Sequence, residues 1–148
     1  MNVYIASDHA GFEFKEHIKT LLEKWGYKVT DSGAFELNLE DDYPDFIKDA
    51  ARKVTSDPQS RGIVLGRSGA GECMVANKIK GVRAFLAVNE HNVRLAREHN
   101  DANIMSLGSE IIQENEIENL VKLFLETPFS NATRHIRRIE KIKQIENE

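Results

Sequence analysis

The chain has 148 residues, of which 41% are hydrophobic and 30% charged, and its net charge is −4. These are the proportions of an ordinary globular domain, and the negative charge gives no general electrostatic reason to bind nucleic acid or an acidic membrane. No apolar run is long enough to span a bilayer, the N-terminal residues lack a signal-peptide pattern, and the single cysteine cannot form an internal disulfide. We therefore expect a cytoplasmic protein.

Strands and helices are predicted to alternate along the chain. Apolar runs bounded by turn residues predict five strands, within residues 2–6, 27–33, 62–66, 82–88 and 102–108. Helical spacing of apolar residues predicts helices at about 14–25, 44–54, 69–79, 90–100 and 117–125. This alternation predicts one domain, residues 1–148, with a Rossmann-like three-layer αβα sandwich around a five-stranded parallel sheet.

A charged tail follows the alternating pattern. It predicts an appended C-terminal helix at about residues 131–147, which we expect to dock on a partner, such as another copy of the chain. In doubly wound sheets, ligands bind at the carboxyl ends of the strands. The loops predicted there carry "SDHAG", "GRSGAGE", "NEHN" and "GSE". We expect the site among them, with His9 and His99 at the same edge.

The turn after the third strand contains three glycines. Gly66, Gly69 and Gly71 allow backbone N–H groups to converge at a helix N-terminus, which suits an anion. Their spacing matches neither the dinucleotide fingerprint nor the P-loop, and a tight strand–helix connection is the simpler alternative. Ser68 is a candidate helix cap that also places a hydroxyl in the turn.

Two candidate catalytic side chains follow this turn. Glu72 lies in the first turn of the predicted helix, where a carboxylate can also simply complement the helix dipole. Cys73 is adjacent, so it projects about 100° away around the helix axis and the two side chains cannot enter the same site. A small thiol on an apolar helix face is more typical of a core residue than of a nucleophile.

Histidines and arginines supply the other candidates. Asp8, His9 and His99 could form a metal site, but no closely spaced ligand pair supports one. In the final helix, Arg134 and Arg138 share a face, with His135 at its flank. That face is either a solvated basic surface or a phosphate clamp.

The chain resembles the B-type sugar-phosphate isomerases, which include ribose-5-phosphate isomerase type B and galactose-6-phosphate isomerase. The motifs that carry the resemblance run in order along nearly the whole chain: "SDHAGFEFK", "DDYPDF", "GIVLGRSGAGE", "ANKIKGVRA", "LAREHNDAN" and "RHIRRIE". The resemblance implies an aldose–ketose isomerase that interconverts ribose 5-phosphate and ribulose 5-phosphate through an enediolate.

The resemblance also implies which residue is the base. One branch of the family uses a cysteine at the position of Gly66, and the other resembles "GGSGNGE" and uses its final glutamate. This chain is similar to the second branch, so Glu72 is implied as the base and Cys73 as a bystander. The backbone amides from Arg67 to Gly71, including those of Gly69 and Ala70, would stabilise the enediolate oxygen, with Ser68 beside the reacting oxygens.

The remaining roles follow from the same resemblance. His99 would assist ring opening opposite Asp8, and Asn100 would orient hydroxyl groups. Tyr43 would line the sugar pocket, and the phosphate would be held by His9, Arg134 and Arg138, with His135 nearby. The sites of the family lie between two subunits, which implies a homodimer or a tetramer, and no metal or organic cofactor is implied.

Two residues depart from the family pattern. Arg67 replaces a usual glycine in the turn, and Glu110 stands where relatives typically carry an arginine that contacts phosphate. A carboxylate near a phosphate dianion is repulsive. An isomerase for another sugar or sugar phosphate, of the galactose-6-phosphate or allose-6-phosphate type, is therefore an alternative, as is a non-catalytic sugar-phosphate-binding module.

Overall fold

The computed structural model describes residues 1–148 and contains five strands, six α-helices and one turn of 3-10 helix, His9–Gly11. The strands are β1 Asn2–Ser7, β2 Lys28–Asp31, β3 Arg61–Gly66, β4 Ala84–Leu86 and β5 Ile104–Gly108. The helices are α1 Phe12–Lys24, α2 Tyr43–Ser56, α3 Ala70–Ala76, α4 Glu90–Asn100, α5 Glu114–Glu126 and α6 Thr133–Glu146. The predicted alternation and the appended helix are confirmed.

All strands pair in parallel, in the order β2-β1-β3-β5-β4. Side chains of a strand alternate between the two faces of a sheet, and each face here is covered by helices. Ile63 and Leu65 of β3 are fully buried in a cluster shared with α1, α4 and α5, whereas Val64 is buried against α2 and α3. Burial of each such side chain stabilises the fold by roughly 1.5–3 kcal/mol. The result is the predicted three-layer sandwich.

The strand order places a crevice at the carboxyl end of the sheet. The chain leaves β1 towards α1 on one face and leaves β3 towards α3 on the other, although β1 and β3 are neighbours. The connections diverge at this point, which leaves room for a ligand between them. None of the six helices is both long and apolar enough to cross a membrane.

Helix α6 packs near the opposite, amino-terminal edge of the sheet. The backbone N–H of Gly81, which precedes β4, donates to the Glu146 carboxylate at 3.0 Å. Ile139 faces the protein and is 8% exposed, whereas Ile136 and Ile145 are 44% and 67% exposed. The helix therefore presents apolar side chains that its own chain does not cover.

Candidate active site

A cavity of about 300 Å³ lies in the crevice between the carboxyl ends of β1 and β3. Three segments line it: the β1–α1 connection, the start of α2 and the β3–α3 turn. Its lining residues are Asp8, His9, Ala10, Tyr43, Arg67, Ser68, Gly71 and Glu72. Apart from Ala10, all of them are residues that the sequence singled out. The loops after β4 and β5, which were also candidates, do not line this cavity.

Glu72 is the buried carboxylate of the cavity. It is 4% exposed and belongs to the first turn of α3. Burial raises the pKa of Glu72 above its ordinary value, and the nearby Asp8 carboxylate raises it further, while hydrogen bonding to the backbone N–H groups of Glu72 and Gly69 opposes the rise. A carboxylate with a raised pKa is better matched to proton transfer near neutral pH than an exposed one.

The glycine turn has a defined backbone geometry. Gly69 adopts the left-handed conformation with φ 77°, which an L side chain rarely adopts. Its carbonyl accepts a 2.7 Å hydrogen bond from the buried Ser106 hydroxyl. The Ser68 hydroxyl accepts from the Ala70 N–H at 3.2 Å, a contact within the turn. The N-cap of α3 is Gly69 and no side chain caps it, so Ser68 is not the helix cap that was one of its two expected roles. A Cβ at Gly71 would lie 2.6 Å from the Tyr43 ring, because that ring packs directly on the turn.

Gly66 and Glu72 share one small volume at the end of β3. A Cβ built on Gly66 would lie 1.8 Å from Glu72 Oε1 and 2.2 Å from its Cδ. The glutamate carboxylate therefore occupies the space that any larger residue at position 66 would need. The absence of a side chain at Gly66 is what allows Glu72 to reach the cavity.

Cys73 lies outside this cavity, as its position on the helix predicts. Its half-buried thiol lines a larger, more apolar cavity of about 440 Å³ on another face of α3, together with Met74 and Leu86. Burial raises the pKa of the Cys73 thiol, and the neighbouring Glu72 charge raises it further. Both effects disfavour the thiolate, which is the reactive form.

Asp8 and His9 occupy the β1–α1 connection. Asp8 is 7% exposed and accepts hydrogen bonds from the N–H groups of Ala10 and Gly11 at 3.0 and 3.3 Å. The His9 ring bonds through Nδ1 to Asp41 Oδ1 at 2.6 Å. Asp41 was missed, because it lies in a polar segment, "ELNLEDDYPD", without periodicity. Two signals could have found it: its place after β2, next to the loop carrying His9, and its position as the first residue of the motif "DDYPDF".

The residues that could bind a metal ion differ from those that the sequence suggested. The ligand atoms of Asp8, His9 and Asp41 lie within 4.8 Å of one another, and His99 is not among them. A metal ion bound to His9 Nδ1 would have to replace the short hydrogen bond to Asp41.

His99 belongs to a second cluster. Its ring stacks on that of His135, with ring centres 4.2 Å apart and planes inclined by 34°. His135 is 3% exposed, and its Nδ1 lies 2.7 Å from the Ser130 hydroxyl. Burial lowers the pKa of His135, and the positive charges of His99, Arg134 and Arg138 lower it further.

This second cluster lies at the amino-terminal edge of the sheet. Helix α4 leaves β4 at the carboxyl edge and runs back across the sheet to the start of β5, so its last residues, His99 and Asn100, lie at the other end. The Asn100 carbonyl accepts a 3.0 Å bond from Arg83 Nε, just before β4 begins. The prediction that His9 and His99 share one edge is therefore wrong within a single chain.

Arg67 and Glu110, the two departures from the family pattern, are paired. Arg67 Nη1 lies 3.3 Å from Glu110 Oε1, and both side chains are 65% exposed. The Glu110 N–H also donates to the Arg67 carbonyl at 3.0 Å, which joins the loops after β3 and β5. Exposed ion pairs contribute about 0–1 kcal/mol, so this pair has little weight in stability. It does place a guanidinium at the edge of the cavity.

Comparison with known proteins gives a consistent set of relatives. The family model described as Ribose/Galactose Isomerase matches residues 3–142. Ribose-5-phosphate isomerase B of Mycolicibacterium paratuberculosis is 45% identical over 146 residues, covering 99% of this chain and 92% of the relative. The corresponding protein of Mycobacterium leprae is 43% identical over 146 residues, covering 99% and 90%.

Solved structures agree with these matches over the full fold. Ribose-5-phosphate isomerase B of Mycoplasma genitalium with bound ribulose-5-phosphate superposes with a TM-score of 0.95 at 40% identity, covering 99% of this chain and 97% of that one. Ribose-5-phosphate isomerase B of Clostridium thermocellum superposes with a TM-score of 0.94 at 39% identity, covering 99% and 98%.

Proposed function

The chain belongs to the ribose/galactose isomerase family, and from this premise we propose that it interconverts ribose 5-phosphate and ribulose 5-phosphate with Glu72 as the base. Its relatives are named ribose-5-phosphate isomerase B, and one of them has ribulose-5-phosphate bound. The observation that carries the assignment of the base is the position of Glu72. Its carboxylate is buried in the crevice, its pKa is raised, and it follows the glycine turn.

The reaction moves one proton between adjacent carbons. The Glu72 carboxylate removes the C2 proton of the open-chain aldose, the electron pair forms the C1–C2 double bond of an enediolate, and the same proton returns to C1. The accompanying proton moves from the C2 hydroxyl oxygen to the C1 oxygen. The backbone amides of residues 67–71 supply donors for the developing negative charge. Because Ser68 Oγ accepts from Ala70, its own O–H is free to donate to these oxygens.

Complete sites would form between two copies of the chain. Glu72 and Asp8 lie at the carboxyl edge of the sheet, whereas His99 and the arginines of α6 lie at the amino edge. A two-fold dimer could bring the carboxyl edge of one copy to the amino edge of the other, giving two equivalent sites. His99 would then assist opening of the furanose ring opposite Asp8.

Exposed apolar side chains support such an assembly. Phe35 and Leu39, which lie in the segment leading to Asp41, are 75% and 74% exposed, and Met74 on α3 is 66% exposed. A second copy of the chain that covered these side chains would remove their apolar surface from water. Arg134 and Arg138 on α6 would then reach the phosphate bound by the other copy.

Mixing two inactive variants tests the shared site. If Glu72 and His99 of one site come from different copies, a dimer of Glu72→Gln with His99→Asn has one intact site out of two. Random pairing makes half of the dimers mixed, so co-expressed variants should recover about a quarter of wild-type turnover. The measurement is isomerase activity of the co-purified mixture, with each variant expressed alone as the control. No recovery in a proven mixed dimer would mean that both residues act within one chain.

The Arg67–Glu110 pair leads to a prediction about substrate preference. Glu110→Gln removes a carboxylate from the cavity edge and releases the Arg67 guanidinium, so the KM for ribose 5-phosphate should fall roughly twofold to fivefold. The KM for unphosphorylated ribose should not change, and unfolding free energy should change by less than about 1 kcal/mol. Glu118→Gln, which breaks the comparable exposed pair with Lys122 at 3.1 Å, is the control.

The Arg67–Glu110 pair is also the observation that favours a second candidate function. A cation and an anion at the cavity edge could favour a different sugar phosphate of the same mechanism. A panel of aldose phosphates, including galactose 6-phosphate and allose 6-phosphate, decides between them. A wild-type kcat/KM that is highest for one of these sugars, and not for ribose 5-phosphate, would replace the substrate but keep Glu72 as base.

A further inference from the structure

Asp41 is a buried carboxylate in an otherwise exposed segment. It lies in the connection between β2 and α2, where its side chain is only 7% exposed. Its Oδ1 accepts two hydrogen bonds from His9, one from the backbone N–H at 3.0 Å and one from ring Nδ1 at 2.6 Å. Its Oδ2 is buried and has no hydrogen-bond partner.

The burial of Asp41 has an energetic cost that its contacts only partly offset. An unpartnered buried oxygen of a carboxylate loses hydration without a compensating bond. The adjacent Asp42 also precedes α2 and makes no capping bond. It is exposed to solvent, which is the usual position of a carboxylate. Stability therefore does not explain why position 41 carries a charge, whereas the two bonds to His9 offer a functional reason.

The hydrogen bond between Asp41 and His9 determines which nitrogen of the His9 ring carries the hydrogen. An ionised carboxylate only accepts hydrogen bonds, so the hydrogen between the two groups belongs to His9 Nδ1. The ring is held at two points, through its own backbone and through Nδ1, and it is 22% exposed beside the cavity. Nε2 remains as the ring atom available to a ligand.

We propose that Asp41 is a positioning residue for His9, which sets the Nδ1–H tautomer and the ring orientation so that Nε2 meets the phosphate of the sugar. This rests on the proposed function for the identity of the ligand. To donate from Nε2 to a phosphate, the ring takes up one proton at Nε2, from solvent or from the monoprotonated phosphate group, so that it carries hydrogen on both nitrogens and is positive. Asp41 then supplies the counter-charge on the side of the ring away from the ligand. The other charged groups lining the cavity are Asp8, Arg67 and Glu72, with Tyr43 as a further titratable group.

The tautomer can be measured directly in the ligand-free protein. Nitrogen-15 NMR of the imidazole rings distinguishes Nδ1–H from Nε2–H, and His9→Gln identifies the His9 signals among the five histidines. The wild-type neutral ring should be the Nδ1–H tautomer. In Asp41→Asn the ring should shift towards Nε2–H, because the amide N–H₂ can donate to Nδ1. Asp42→Asn, at the exposed neighbour, should leave the spectrum of His9 unchanged.

The effect of Asp41 on ligand affinity can be measured with inorganic phosphate. We expect Asp41→Asn to raise the Kd for phosphate about tenfold and to raise the KM for ribose 5-phosphate by a similar factor. The kcat should stay within about twofold of the wild-type value. The split between KM and kcat follows because the phosphate lies away from the reacting carbons. A general loss of structure would lower kcat as well, and Asp42→Asn should change neither constant.

The outcomes separate this proposal from the proposed function. An Nε2–H tautomer in the wild-type protein overturns it without any variant, and so does unchanged phosphate binding in a folded Asp41→Asn protein. A shift of the His9 signals on adding Mn²⁺ or Zn²⁺, lost in Asp41→Asn, would make Asp41 a metal ligand and also overturn it. A protein with the expected tautomer and phosphate affinity that fails to isomerise ribose 5-phosphate would instead count against the proposed reaction.

Discussion

Replacing Glu72 by glutamine should lower kcat for ribose 5-phosphate by roughly 10²–10⁴-fold, the usual contribution of a positioned general base. Glutamine has nearly the same shape and can accept the same backbone hydrogen bonds, but it cannot remove a proton. The measurement is steady-state turnover of the purified variant. Cys73→Ser is the matched control at the neighbouring position, and it should retain turnover within about twofold because the thiol lines a different cavity.

Two further observations would accompany this loss. The folded state raises the pKa of Glu72, so the ionised carboxylate is disfavoured by folding at neutral pH. Glu72→Gln removes that penalty, and the melting temperature at pH 7 should not fall.

The raised pKa of Glu72 also predicts the pH dependence of the wild-type enzyme. Its kcat/KM should decline on acidification at a pH above the ordinary carboxyl value of 4.5, since the base must be ionised. Asp8→Asn should move that decline to lower pH. A fully active Glu72→Gln enzyme would exclude Glu72 as the base.

Gly66→Ala should separate catalysis from stability. The added Cβ would lie 1.8 Å from Glu72 Oε1, and its three nearest atoms all belong to that carboxyl group. The end of a flexible side chain can move aside at small cost, so the melting temperature should change little. The base, however, is displaced by more than an ångström, and such a misplacement costs about 10²-fold in rate. Turnover and thermal unfolding of the same sample measure both effects.

Gly26→Ala gives the reverse pattern and serves as the control. Gly26 has φ 85°, and no atom lies within 4 Å of a Cβ built there. The variant should lose about 1–2 kcal/mol of stability through backbone strain and keep the wild-type kcat. If Gly66→Ala kept full turnover, the carboxylate seen beside Gly66 would not be in its catalytic position.

Much of the fold was predictable because each element has its own local signal. The apolar run of "GIVLG" and the helical spacing around Ile117 are properties of neighbouring residues, and both elements appear where expected. The separation of Glu72 from Cys73 was predictable for the same reason, since adjacent helix positions differ by about 100°. These inferences needed no information about the rest of the chain.

The parts that were not predictable depend on distant residues. His99 was assigned to the wrong edge because α4 has 11 residues. At 1.5 Å per residue such a helix carries the chain roughly 16 Å, from one edge of the sheet to the other. Asp41 belongs to a polar segment that reads as solvated, and its burial follows only from its contact with His9, 32 residues earlier. Arg67 and Glu110 were identified as separate departures, but their pairing across 43 residues required the fold.

The shared volume at Gly66 and Glu72 also limits how the site can evolve. In the family branch that uses a cysteine, the base is implied to stand at position 66, where this protein has no side chain. If Glu72 is the base, changing position 72 first would leave the site without one, whereas a side chain added first at position 66 would displace the carboxylate that is already there. A carboxylate base and a thiol base would therefore compete for one place in the site, so a residue change at either position constrains the residue at the other.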